Sequence, residues 1–309
     1  MLLLSRVSNP QLTTLATRLN LALRRCLYWS FFMIRLLILF LAPPVLAAPL
    51  ALKWEKNWLY IDGEFLPGSM RVHYLEAYCR DNSHTTDWSK HTVIGHSTQL
   101  VSIAKDGSRI ELVCKLLDGV TVRHVITSTC DEVDFRLTAH NPTSRRSEAH
   151  WSQPCVRVGV FTGTGPDKTS DKYAYVPKSF IFLDGKKAMM PTRNWAMKAR
   201  YIPGQVWAAP GVPRADVNPR PLHKDVPDNG LIGCYSHDDK HIFATAWEPY
   251  QELFQGVGRC LHSDFRLGGI NPGATMEIKG KIYLLENNLK ELLARYRKDF
   301  PEHVNLHAN

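Results

Sequence analysis

The feature that most restricts this chain is a hairpin built on a two-residue period. Residues 110–117 (IELVCKLL) and 120–128 (VTVRHVITS) flank Asp118-Gly119, a pair that tolerates the positive φ of a tight β-turn. Directly after it, Val133, Phe135, Leu137 and Ala139 alternate with Asp134, Arg136, Thr138 and His140, which predicts a strand with one dry and one wet face. Asn141-Pro142 ends that strand. Further strand-like runs follow at 154–161, 179–183, 230–236, 241–248 and 276–286. Only the end reads as helix: Leu289, Leu292, Leu293 and Tyr296 recur at helical spacing, with Asn287 or Asn288 placed to cap the N-terminus. The expected fold is all-β, a large antiparallel β-sandwich closed by a short C-terminal helix. No internal repeat points to a propeller or solenoid.

Residues 1–47 stand apart. They hold five arginines, no lysine and no acidic residue, and Arg35 precedes the apolar run LLILFLAPPVL, with small residues for cleavage near Ala47. This reads as a signal peptide, and Pro43-Pro44 argue against an uninterrupted span. The expected organisation is therefore a leader over 1–47, a sandwich over 48–286 and a helix with tail over 287–309, in a secreted or periplasmic protein that meets the membrane only through its leader. Without the leader, the formal charge of +9 falls to about +4, because 33 basic residues face 29 acidic ones. No long basic run remains, which excludes nucleic acid as a partner.

Six cysteines lie outside the leader: Cys79, Cys114, Cys130, Cys155, Cys234 and Cys260. In an exported chain they permit up to three disulfides; the alternative is buried thiols acting as small hydrophobes. No CxxC spacing marks a zinc knuckle, and His84, Asp87, His91 and His96 match no metal template, so no metal is expected. The absence of GxSxG, GxxxxGK[ST] and GxGxxG disfavours serine hydrolysis, nucleotide hydrolysis and dinucleotide redox, and no cofactor is expected. Between Met190 and Asn229 the chain turns Pro-rich while keeping Trp195, Tyr201 and Trp207. That texture predicts an ordered excursion lying over one face of the sandwich.

Three stretches carry candidate chemistry. In TAWEPYQELF, Glu248 ends a strand just before Pro249, where side chains from several strands converge. Trp247 and Tyr250 offer flat faces to sugar rings, while Gln251 and Glu252 offer hydrogen bonds; the alternative is a structural carboxylate paired with Arg259 or Arg266. At a second strand mouth, His150 is followed by Trp151, and an imidazole of ordinary pKa about 6.5 can hold or yield a proton near neutrality. In the third stretch, Glu76, Tyr78, Arg80 and His96 stand close in sequence, and a guanidinium such as that of Arg80 forks well onto a carboxylate or paired hydroxyls.

The order of these features resembles the galactose mutarotase-like, or aldose epimerase-like, supersandwich. The residues that carry the resemblance are the Asn141-Pro142-Thr143 turn, His150 followed by an aromatic, Glu248 at the end of a late strand, and Asn271-Pro272-Gly273 before the closing strand. It covers roughly 110–286. The resemblance implies that Glu248 takes the proton from an anomeric hydroxyl while His150 protonates the ring oxygen; to these the residue chemistry of the three stretches adds Glu76, Arg80, His96, Trp151, Trp247, Gln251 and His262 as expected contacts to a saccharide or glycan. Two alternatives stay open. One is a polysaccharide lyase-like enzyme, in which Tyr78 or His96 abstracts a proton alpha to a carboxylate neutralised by Arg80. The other is an exported module that binds a glycan or protein without catalysis.

Overall fold

The computed structural model describes residues 48–82, 88–167, 171–192, 205–217 and 221–303. The expected leader, and His84, Asp87, Trp195 and Tyr201, lie outside the described residues. In chain order the strands are β1 (Ala51–Glu55), β2 (Trp58–Asp62), β3 (Met70–Cys79), β4 (Val93–Ile94), β5 (His96–Ile103) and β6 (Arg109–Leu116). There follow β7 (Thr121–Ser128), β8 (Glu132–His140), β9 (Trp151–Arg157), β10 (Ser179–Leu183), β11 (Lys186–Met189) and β12 (Trp207–Ala208). The last are β13 (Ile232–Tyr235), β14 (His241–Glu248), β15 (Tyr250–Gly256), β16 (Cys260–Arg266) and β17 (Thr275–Glu286), before helix α1 (Leu289–Asp299).

Two antiparallel sheets result. The first runs β1-β2-β3-β9-β16-β15-β12 with β4 beside β3, and the second runs β11-β10-β13-β14-β17-β8-β7-β6-β5. Their inner faces share one core, in which Leu59, Val72, Leu261 and Phe265 of the first sheet join Ile110, Leu112, Phe135 and Leu137 of the second. Among the described residues the fold is mostly β with one C-terminal α-helix, as the periodicity predicts. The predicted hairpin forms between β6 and β7, and Gly119 takes the required positive φ of 99° in its turn.

The alternation is legible only where one face meets water. In β8 every second residue, Val133 through Ala139, is buried. Along β14 and β17 the outer face is covered instead by α1, whose Leu292 and Tyr296 pack with Phe300 on Phe180, Ile242, Ala244 and Tyr283. Asn288 caps α1 by accepting a hydrogen bond from the Glu291 amide at 3.1 Å. The central strands of the first sheet, β9, β16 and β15, are buried on both faces. Part of their cover is the Pro-rich excursion: Val206 and Val217 pack on Phe254, and β12 pairs with β15.

The described cysteines correct the disulfide expectation. None of the six is joined in a disulfide; five are buried and Cys130 is exposed. Cys79, Cys114 and Cys234 occupy sheet positions where a small side chain fits, the alternative the composition left open, while Cys155 and Cys260 join a polar cluster with His262.

A polar bridge crosses the otherwise apolar core. His124 of β7 bonds through Nδ1 to the Tyr74 hydroxyl at 2.9 Å and through Nε2 to the Tyr78 hydroxyl at 3.3 Å, both from β3. A neutral imidazole supplies one donor and one acceptor, which matches two hydroxyls. Burial, helped by His96, pulls the His124 pKa down to about 3. Its folded pKa thus lies below its unfolded value of about 6.5, so the stability it contributes is complete above about pH 6.5 and is lost as pH falls toward 3. Chemical denaturation as a function of pH should show His124→Gln losing less stability than wild type across that window, by an amount on the order of 4 kcal/mol. Parallel acid profiles for the two proteins would show that His124 is not held neutral.

Candidate functional site

The site begins with an interrupted ladder. β14 pairs with β17 as far as Glu248 opposite Lys279; Pro249 then has no N–H to continue, and the chain enters the first sheet as β15. Glu248 therefore stands where the two sheets meet. Behind it, Trp247 lies against Gly280, where an added Cβ would come within 2.4 Å of the indole, so glycine is required for that packing. The Glu248 carboxylate accepts a hydrogen bond from His303 Nε2 at 2.5 Å. The other ring nitrogen of His303 meets the Tyr296 hydroxyl, which accepts from the Gly230 amide at 3.0 Å. If the Tyr296 hydroxyl donates to Nδ1, the ring N–H lies on Nε2 and is directed at Glu248.

A cavity of about 260 Å³ opens at this strand end, lined among others by Glu248, Tyr250, Arg266, Glu302, His303 and the 209–212 segment of the excursion. The Tyr250 hydroxyl is buried and has no hydrogen-bond partner among the described residues. Burial, and then the nearby Glu248 carboxylate, raise its pKa. Arg266 donates to Gln251 Oε1 at 2.6 Å and to Asp216 Oδ2 at 3.0 Å, while Gln251 Nε2 donates to the Asp216 carbonyl at 3.0 Å. Asp216, on a short 3₁₀ turn (Arg214–Asp216), thereby pins the excursion over the strand end.

His150 lies beyond Asp216. Its Nδ1 is 3.6 Å from Asp216 Oδ2 and its Nε2 is 3.9 Å from Asp81 Oδ2. Gly269 makes room for the ring, since a Cβ there would come within 2.8 Å of Nε2. His150 is not among the residues lining the Glu248 cavity; it connects to Arg266 through Asp216.

The remaining expected contacts separate into structural and clustered groups. Trp247 is 2% exposed and packs in the core against Phe135 and Phe265, and Trp151 is fully buried with Ala77 and Cys79. Neither tryptophan offers a sugar a free face, because the sheets consume both rings. Arg80 bonds Glu148 at 2.7 Å and the Val93 carbonyl at 2.7 Å, so its charge is already paired. His96 sits on β5 of the second sheet, edge-on to Tyr78. Gln251 does reach the site, as the support for Arg266.

Glu76 and His262 come together elsewhere, on the outer face of the first sheet. Glu76 Oε2 is 3.9 Å from His262 Nε2, and His262 Nδ1 is 3.1 Å from Asp264 Oδ1, whose other oxygen accepts from Gln153 at 3.1 Å. Cys260 Sγ is 3.4 Å from His262 Nε2. The hydrogen bond from Cys155, with His262 alongside, pulls the Cys260 thiol well down, while burial and that same neighbour push Cys155 up. Burial opposes charge on His262, yet the Cys260 sulfur and Asp264 carboxylate lift its pKa to about 10. Burial likewise raises Glu76, but His262 and Arg157 outweigh it, and its carboxyl stays below its ordinary range.

Sequence reasoning missed His303 and Asp216. One follows the C-terminal helix and the other sits inside a Pro-rich segment, and neither position carries a local pattern.

Comparison with known proteins finds no matching family model and no matching curated protein. Solved structures of galactose mutarotase-like proteins do match over most of the chain at low identity. An Escherichia coli K12 protein described as a candidate aldose 1-epimerase matches at 10% identity over 77% of this chain and 99% of its own, with a TM-score of 0.38. A galactose mutarotase-like protein from Lactobacillus casei matches at 10% identity over 76% of this chain and 99% of its own, with a TM-score of 0.37. Likenesses this remote leave the site to be argued from its own residues.

Asp216 holds a guanidinium, a backbone amide of Asn82 and an imidazole neighbour together while only 5% exposed. Removing it strands charge-assisted hydrogen bonds, so Asp216→Ala should cost about 2–3 kcal/mol in urea denaturation. A loss below about 0.5 kcal/mol, the range of ordinary surface substitutions, would remove Asp216 from its role as the pin.

Proposed function

We propose that the strand-end cavity binds a saccharide and that Glu248 acts there as general base toward a sugar hydroxyl. The observation that carries this reading is the shared lining: Glu248, whose carboxylate is oriented by His303, lines one small volume together with Tyr250 and Arg266. At about 260 Å³ the cavity lies just under the range of ~300–1,000 Å³ usual for small-molecule sites, which suits a single ring better than a chain of them.

The division of labour follows from protonation. A carboxylate that already accepts from His303 keeps one oxygen for a substrate O–H, and as that proton transfers, the negative charge moves to the sugar oxygen. When the hydroxyl is the anomeric one, its carbon–oxygen bond becomes a carbonyl as the bond from the anomeric carbon to the ring oxygen breaks, and the ring oxygen takes a proton from water in the cavity. Arg266 is held by Gln251 and Asp216 and so offers a rigidly placed side chain whose charge is already balanced. In this reading His150 is a positioning residue that acts through Asp216, a change from the direct acid role implied by the family resemblance. Arg80, the cationic clamp of the lyase alternative, is paired with Glu148 at 2.7 Å.

The test is anomeric exchange of a panel of monosaccharides followed by NMR, with binding measured separately by calorimetry. Wild type should accelerate exchange of at least one sugar, and Glu248→Gln should lower the rate about 10²- to 10⁴-fold while binding persists. Equal exchange rates for Glu248→Gln and wild type would overturn the assignment. Retained binding without wild-type acceleration would leave a non-catalytic saccharide site.

A further inference from the structure

The outer face of the first sheet gathers two thiols, an imidazole and a carboxylate from three neighbouring strands. β9 and β16 pair Leu261 with Val156 and Phe265 with Ser152, so His262 falls opposite Cys155 and Asp264 opposite Gln153. Cys260 and His262, two apart on β16, point to the same side. The sulfurs of Cys155 and Cys260 and a ring nitrogen of His262 all lie within 4.8 Å of one another. Beside a register break in β3, between His73 and Ala77, the Glu76 carboxylate comes to 3.9 Å from His262 Nε2, at the edge of this cluster.

We infer that Cys155, Cys260 and His262 form the core of a tetrahedral zinc site that clamps β9 and β16 together, with Glu76 of β3 moving in as the fourth ligand when the ion binds.

Three lines of geometry carry this. The first is spacing. Zinc bonds of about 2.3 Å to sulfur and 2.0–2.1 Å to nitrogen or oxygen place the ligand atoms of a tetrahedron roughly 3.3–3.8 Å apart. The Cys260 Sγ to His262 Nε2 distance of 3.4 Å lies in that range, and the Glu76 to Nε2 distance of 3.9 Å is just outside it. The second is orientation. Asp264 holds Nδ1 at 3.1 Å and is itself held by Gln153, the carboxylate support that a zinc-bound imidazole ordinarily has, leaving Nε2 directed at the two sulfurs. Phe254 stacks on the ring at 4.1 Å and fixes its plane. The third is environment. Cys155, Cys260 and His262 are at most 3% exposed, whereas the Glu76 side chain is 37% exposed and gives the site its entry path. Two thiolates, one neutral imidazole and one carboxylate suit borderline-soft Zn²⁺ better than hard Mg²⁺ or Ca²⁺. Arg157, electrostatically coupled to both sulfurs and to Glu76, offsets the excess negative charge.

No CxxC spacing announces such a site, because its ligands are 76, 155, 260 and 262 in the chain and meet only through sheet register. It is separate from the Glu248 cavity, with which it shares no lining residue.

The experiment uses the full chain, purified under reducing conditions without a metal-affinity tag, stripped with chelator and titrated with Co²⁺ and then Zn²⁺. The expected result is one equivalent of Co²⁺ bound with a sulfur-to-cobalt charge-transfer band and the intense d–d bands of a tetrahedral ion, displaced by Zn²⁺. Cys155→Ser and Cys260→Ser should each weaken or abolish that band. Asp264→Asn should keep it while lowering affinity about 10- to 100-fold, as loss of a supporting partner does. Glu76→Gln, at the exposed edge, should fold normally and bind more weakly with the sulfur band intact. The proposal is overturned if reduced wild type binds no Co²⁺ or binds it without a sulfur band. It is equally overturned if both serine variants keep the band, or if mass spectrometry shows Cys155 and Cys260 joined in a disulfide that reforms in preference to metal binding. Should the serine variants fail to fold, the wild-type cobalt spectrum decides the matter alone.

Discussion

The rest of this structure depends on one constraint: the central strands of the first sheet, β9, β16 and β15, are covered on both faces. Their inner side chains meet the sandwich core, and their outer ones lie beneath segments that include the Pro-rich excursion. A polar group on such a strand cannot turn to water, and leaving it unpaired costs about 1–3 kcal/mol, more if it is charged. Gln153, Glu252, His262 and Asp264 are all nearly or fully buried there. The outer face therefore has to satisfy its polar atoms internally, and the row Gln153, Asp264, His262 does so by hydrogen bonds across strand register.

The strand-end cavity grows from the same constraint at its margin. Where β14 gives way at Pro249 and the chain changes sheets, the two layers separate enough to leave a volume between β15, the excursion and the turn after α1. Arg266 emerges at that margin with its charge settled by Asp216, so the excursion is tied to the sheet by an ion pair that is itself mostly dry. The C-terminal turn contributes His303 from the opposite side. A carboxylate at a sheet end thus becomes the meeting point of three separate parts of the chain.

Much of the architecture was legible in the sequence, for reasons that particular residues make plain. β8 could be read because one face is wet, so Val133, Phe135, Leu137 and Ala139 stand out against polar neighbours; β10 and β14 could be read because their apolar runs are short and bounded. β15 and β16 were not legible. Their outward residues are polar yet buried, so Gln251, Glu252, His262 and Asp264 give neither alternation nor a continuous apolar run. The site was half legible for a related reason. Glu248 is marked by the Pro249 that follows it, and Glu76 and His262 were recognised as polar residues of interest. That Trp151 and Trp247 would be consumed by packing, and that Arg80 would be neutralised by Glu148, depends on long-range partners that no local pattern encodes. His303 and Asp216 reach the cavity only through tertiary folding.

The central claim is that a saccharide ring occupies the cavity beside Glu248. Crystals of the protein soaked in a mixture of mono- and oligosaccharides test it most directly. The account predicts density for a single sugar ring in that cavity, with one hydroxyl within hydrogen-bond reach of the Glu248 carboxylate and a ring or hydroxyl oxygen facing Tyr250. Sugar density confined to another surface, with the cavity holding only solvent at saturating sugar, would contradict it.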